Sequence, residues 1–180
     1  MNTSLDGYVE GPDGTFGWTT PDEEVFRFHI DQAAEMGGFL YGRRMYETMK
    51  VWHEITGEPP YPPYFGEFGR IWREKPKVVF STTLREVGPS CRLVSGDVAR
   101  VVADLEQQPG GDLGVSGPGL ATSLAKLGLV EEYRVVVFPV IVGAGKPYAP
   151  SVGRQTSLHL VETRSFRGGA VYLRYRVERG

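Results

Sequence analysis

Three short apolar runs, each released into a turn or a helix, restrict the fold more than any other feature of this chain. Phe39, Leu40 and Tyr41 lead into Gly42 and then residues 43–49, which read as the start of a helix. Residues 77–81 (KVVFS) and 112–116 (DLGVS) are two further short strands of the same kind. Helical spacing fills the intervals. Val25, Phe26, Ile30, Ala33 and Met36 recur at three- and four-residue steps over 21–36, and Val98, Val101, Val102 and Leu105 do so over 97–107. Thr20 is the expected N-cap of the first of these helices, with Pro21 at its first position and Asp22, Glu23 and Glu24 in its first turn. A further helix is predicted over 118–127, closed by Gly128. A valine-rich strand over 132–142 follows, then two strands over 157–166 and 170–177 around Arg167, Gly168 and Gly169. Residues 57–75 contain prolines that preclude one long helix and read as a loop with a short helix. The pattern predicts an α/β fold in a single three-layer domain over 1–180. Its central sheet is mixed and mostly parallel, flanked by helices, and a C-terminal antiparallel hairpin closes it.

Composition removes several function classes. With 180 residues, 41% hydrophobic and 23% charged, the chain has the make-up of one folded domain. Twenty Lys and Arg against 22 Asp and Glu leave a net charge of -2, so no broad positive field is present to hold a nucleic acid. One cysteine, Cys91, and three scattered histidines offer neither an internal disulfide nor a structural metal site. No apolar run approaches the roughly 18 residues of a membrane span, and residues 135–142 are interrupted by Pro139. The first residues lack a basic start and a hydrophobic block, which leaves no secretory signal and points to the cytoplasm.

Strand ends that open into helices are where α/β sheets collect anions. Gly42, Arg43 and Arg44 combine a backbone that a phosphate can approach with two forked donors. Ser81, Thr82 and Thr83 place hydroxyls at a second strand end, and Gly117, Pro118, Gly119 and Leu120 form a glycine turn at a third. Each motif alone is commonplace, since arginine pairs are usually solvated and glycines before helices are usually caps. The dinucleotide spacing G-x-G-x-x-G is not met, because Thr122 stands three residues beyond Gly119. Three anion-compatible ends in one small sheet nevertheless favour a nucleotide ligand.

These blocks, in this order, resemble the dihydrofolate reductase-like family that includes the reductase domain of bacterial riboflavin biosynthesis. The resemblance rests on SLDGY at 4–8, LYGRRMYE at 40–47, KVVFSTTL at 77–84, VSGPGL at 115–120, LGLVEEY at 127–133 and FPVIVGAG at 138–145. It implies an NADPH-dependent reductase, usually a homodimer, acting on a small planar heterocycle or carbonyl compound of the pteridine or pyrimidine kind. By this likeness Arg43 faces the 2′-phosphate of the adenosine, with Ser81 and Thr82 at the adenosine end. Arg44 and the turn from Gly117 through Gly119 and Leu120 to Ala121 hold the pyrophosphate. Residues 4–8 lie near the nicotinamide and substrate.

The chain departs from the family pattern at Met45, where a threonine is usual, and at Thr82, where an arginine often stands. Pro118 also has no N–H to offer. Losing an arginine next to Ser81 weakens the expected preference for NADPH over NADH. SLDG begins only three residues into the chain, where the family has a full first strand, which implies a start upstream of Met1 or a shortened chain. Folate reductases carry an acid on the helix before the GR block, but the equivalent position falls at Phe26 or Arg27, so folate reduction is not expected. Asp6 is the leading acidic candidate, against its reading as half of an ordinary Asp-Gly turn. Two rival readings remain: a nucleotide-binding module without turnover, and an interaction protein using the aromatic segment from Tyr61 to Trp72.

Overall fold

The structure is a computed structural model and describes residues 1–149 and 151–178. In chain order its elements are β1 (Asn2–Thr3), β2 (Tyr8–Glu10), α1 (Glu23–Glu35), β3 (Gly38–Gly42), α2 (Arg43–Met49), α3 (Pro63–Glu74), β4 (Lys77–Phe80) and β5 (Cys91–Val94). They continue as α4 (Val98–Glu106), β6 (Leu113–Ser116), α5 (Pro118–Lys126), β7 (Glu132–Val137), β8 (Lys146–Pro147), β9 (Leu158–Ser165) and β10 (Val171–Val177). The chain clusters into two compact units, one of Met1–Val25 with Ala121–Gly180, the other of Phe26–Leu120.

The Phe26–Leu120 unit holds a four-stranded sheet in the order β5-β4-β3-β6, with every neighbouring pair parallel. Inner strands of such a sheet are covered on both faces and read as continuous apolar runs. Accordingly Phe39, Leu40 and Tyr41 of β3 and all four residues of β4 are buried. Below them Trp72 of α3 is fully buried and donates its indole N–H to the Tyr41 hydroxyl at 3.2 Å. The prolines of 57–63 do not shorten α3, because Pro63 takes its first position, where no N–H is needed. A twelve-residue helix therefore stands where a short one is expected.

In the other unit β1 runs parallel to β7, while β7, β10 and β9 follow as antiparallel neighbours. The predicted C-terminal hairpin is present, turning through Gly169 at φ +84°. Gly128 adopts φ +73° and closes α5, its N–H donating to the Ala125 carbonyl. β7 is shorter than the expected strand over 132–142 and stops at Val137. Pro139 cannot donate to a ladder, and residues 140–143 turn back toward the N-terminal segment instead. Asp22, and not Thr20, caps α1: its Oδ1 accepts from the Val25 amide at 2.9 Å, whereas the Thr20 hydroxyl donates to Gly17. β1, β2, β5 and β8, of two to four residues each, are additional strands without a counterpart in the sequence reading.

Candidate functional site

Parallel strands put their carboxyl ends along one edge, and that edge collects most of the predicted residues. Gly42 ends β3 opposite Phe80 of β4, so Arg43 and Ser81 leave adjacent strand ends. On the other side of β3, Tyr41 faces Ser116, the last residue of β6 before Gly117. With strands about 4.8 Å apart, the three ends lie within about 10 Å. The turns abut as well. A Cβ on Gly117 would come 3.0 Å from Cβ of Met45, and one on Gly42 would lie 3.8 Å from that of Leu120. Gly117, at φ +94°, is thus fixed by backbone conformation and by the close approach of Met45, whose apolar side chain packs here in place of a hydroxyl.

The chemistry at this edge suits an anion. Arg43 and Arg44 are exposed in the first turn of α2, which contains no acidic residue. Cations there oppose the helix dipole and are locally unfavourable until an anion meets them. Arg43 is held at 3.2 Å by Glu47, one helical turn on. Ser81 spends its oxygen on its own turn, accepting from the amides of Thr83 and Leu84 at 3.1 and 3.0 Å, while Thr82 is exposed. Around Gly119 nothing lies within 4 Å of where a Cβ would sit, so a ligand can approach its backbone closely. Ala121 follows in the same helix. This set, two guanidiniums, a hydroxyl and a glycine turn without side chains in the way, fits nucleotide phosphates.

Asp6 belongs to the other unit and has different work. Its carboxylate accepts from the amides of Val142 at 3.2 Å and Gly143 at 2.7 Å. The Ser4 hydroxyl first, and then these amides, hold its carboxyl below the usual range. It ties the turn of residues 4–8, where Gly7 adopts φ +85°, to the turn after β7.

The same unit contains a cavity of about 230 Å³ whose walls include Trp18, Asp22, Phe138, Pro139, Val140 and Gly168. The Trp18 indole N–H is buried and has no hydrogen-bond partner among the described residues. Asp22 Oδ2 lies 2.6 Å from where a Cβ on Gly168 would sit, so the carboxylate packs directly against that glycine. Trp18 and Asp22 line one cavity, a juxtaposition that the sequence does not reveal because a distant segment supplies the facing wall. A larger groove of about 850 Å³, with Gly128, Tyr133, Arg154 and Val177 among its walls, contains none of the predicted site residues.

Residues 1–172 match the family model of the RibD C-terminal domain. The chain belongs to the RibD C-terminal domain family. The Bacillus subtilis protein YyaP, described as uncharacterized, is 30% identical to this RibD-type chain over 176 residues, 97% of this chain and 91% of its own. A putative riboflavin biosynthesis protein from Shewanella sp. PV-4 shares the fold with a TM-score of 0.78 at 22% identity, covering 99% of this chain and 97% of that one. A Thermotoga maritima diaminohydroxyphosphoribosylaminopyrimidine deaminase/5-amino-6-(5-phosphoribosylamino)uracil reductase matches with a TM-score of 0.66 at 16% identity. That match takes in 98% of this RibD-type chain but 54% of the Thermotoga protein. Among the described residues no helix is long and apolar enough to cross a membrane, and no group of three or more His, Cys, Asp or Glu could hold a metal ion.

Proposed function

We propose that this protein is an NADPH-dependent reductase of the riboflavin-pathway type, passing a hydride to a small planar heterocycle or carbonyl compound. The observation that carries the reading is the shared carboxyl edge of β4, β3 and β6, where Arg43, Arg44, Thr82 and the Gly117–Gly119 turn converge. In this reading Arg43 takes the 2′-phosphate, Arg44 and the start of α5 the pyrophosphate, and Ser81 and Thr82 the adenosine end. NADPH, when bound, supplies the hydride. The chain supplies orientation and exclusion of water.

The ring to be reduced is of the pyrimidine type, the class named for the Thermotoga relative. We place the enzyme in the cytoplasm as a single-domain protein working as a homodimer.

A second reading, a nucleotide-binding module without turnover, is favoured by Asp6, whose carboxyl is fixed as an acceptor and so gives no proton. Calorimetric titration with NADPH, followed by a screen of pyrimidine, pteridine and carbonyl compounds for NADPH oxidation, separates the two. The reductase reading expects binding and oxidation with at least one ring compound. Binding without oxidation across the panel supports the module, and absence of binding overturns both.

A further inference from the structure

Within the nucleotide edge, one carboxylate has no place in the binding scheme. Glu47 holds Arg43 at 3.2 Å across one turn of α2, with the two side chains 40% and 45% exposed. The pair sums to zero charge at the position assigned to the 2′-phosphate, and the neighbouring strand end contributes Thr82, which is uncharged. A 2′-phosphate reaching this guanidinium must displace a carboxylate of its own sign or bind beside it. An unphosphorylated ribose meets no such opposition, and its hydroxyl accepts the neighbourhood of a carboxylate. We propose that Glu47 sets the cofactor preference of this site, lowering the advantage of a 2′-phosphorylated dinucleotide by holding Arg43 in a neutral pair; this rests on the assignment of Arg43 to the 2′-phosphate. Glu47 is a positioning residue that acts through Arg43.

The inference predicts an asymmetric response to one isosteric change. Glu47→Gln keeps the size and helical fit of the side chain and removes its charge, so an exposed pair loses little stability. The dissociation constant for NADPH should fall by about threefold to tenfold, the scale expected for removing a nearby like charge in a water-screened site, with NADH changed by less than about twofold. The experiment is calorimetric titration of wild type, Glu47→Gln, Arg43→Ala and the double variant with NADPH and NADH, at low and high salt. Adenosine 2′,5′-bisphosphate and adenosine 5′-phosphate serve as probes of the adenosine end alone.

In the Arg43→Ala background the gain from Glu47→Gln should shrink toward the NADH value, and in wild type it should diminish as salt rises. A ratio of NADPH to NADH affinity unchanged by Glu47→Gln, an equal gain for both, or a full gain retained without Arg43 overturns the role of Glu47. Those results leave the reductase reading standing. Binding of neither dinucleotide by any of the four proteins overturns both.

Discussion

Two amides, those of Val142 and Gly143, converge on the Asp6 carboxylate, and the buried Ser4 hydroxyl adds to them. A carboxyl whose ionised form is favoured in this way is a poor acid at neutral pH. Because its folded value lies below the unfolded one, the clamp contributes at neutral pH and is lost only on acidification below about pH 4. Asp6→Asn is therefore expected to leave the shape of the pH–rate profile between about pH 5 and 8 unchanged, with a modest fall in melting temperature. Loss of one limb of that profile would show that Asp6 moves the proton after all. At this scale the strand-end positions of Gly42, Arg43, Arg44 and Gly117 were legible, because a glycine break after a short apolar run is a local signal. It did not show that Glu47 reaches Arg43, that Ser81 is consumed by its own turn, or that Trp18 is left without a partner. Each of those depends on side-chain direction or on a cavity wall supplied by a distant segment.

Helix ends in the Phe26–Leu120 unit are finished by lysines two residues apart. Lys75 Nζ donates to the carbonyls of Ala34 and Met36 at the end of α1, the first at 2.8 Å. Lys77 Nζ donates to those of Trp72 and Lys75 at the end of α3 and lies 4.4 Å from the Trp72 ring centroid. Such carbonyls have no partner inside the helix, and a lysine near the C-terminus satisfies them. Lys77 is 1% exposed, and burial lowers its pKa. Lys77→Met keeps much of the volume but leaves two carbonyls of the α3 terminus unpaired. It should destabilise the protein by about 2 kcal/mol, read as a lower denaturation midpoint at unchanged slope. No loss of stability would mean that water replaces the ammonium at no cost.

Element legibility follows the same physics. α4, α5 and the β9–β10 hairpin have enough length for their period to show, while β4 and β6 are legible because each short apolar run opens into a turn or a helix. β1, β2 and β8 are too short for alternation to register, β5 is broken by the charge of Arg92, and α3 is masked by the prolines before it. β7 ends early because a strand of valines says nothing of where its hydrogen-bond ladder fails, whereas Pro139 does.

Among the described residues, the sheet of β1, β7, β10 and β9 ends in a long exposed margin. β9 is the outer strand of its sheet, all eight residues are exposed, and Leu158, Leu160 and Val161 stand 41%, 45% and 39% accessible. Such edges pair with another strand unless blunted; β9 contains neither proline nor lysine, and its bulge at Val161 and the charges of Glu162 and Arg164 select which partner register fits. In an antiparallel pairing of two copies centred on Thr163, Glu162 of each faces Arg164 of the other, a self-complementary arrangement suited to a two-fold axis. Light scattering is expected to give twice the chain mass for the wild type and the single mass for a Leu160→Glu, Val161→Lys variant. A monomeric wild type would contradict it. Family membership and the order of the phosphate-edge blocks were readable from the sequence, since those blocks keep their spacing. The partition into two compact units was not, because no linker or change of composition marks it, and its boundaries fall inside α1 and α5. The most direct test of the central claim is a side-by-side calorimetric titration of wild type and Arg43→Ala with NADPH and NADH. Saturable NADPH binding that weakens by about tenfold to a hundredfold in Arg43→Ala, with NADH affected much less, is the expected result. Equal losses for both dinucleotides, or no binding by the wild type, would contradict the assignment of this edge to the cofactor.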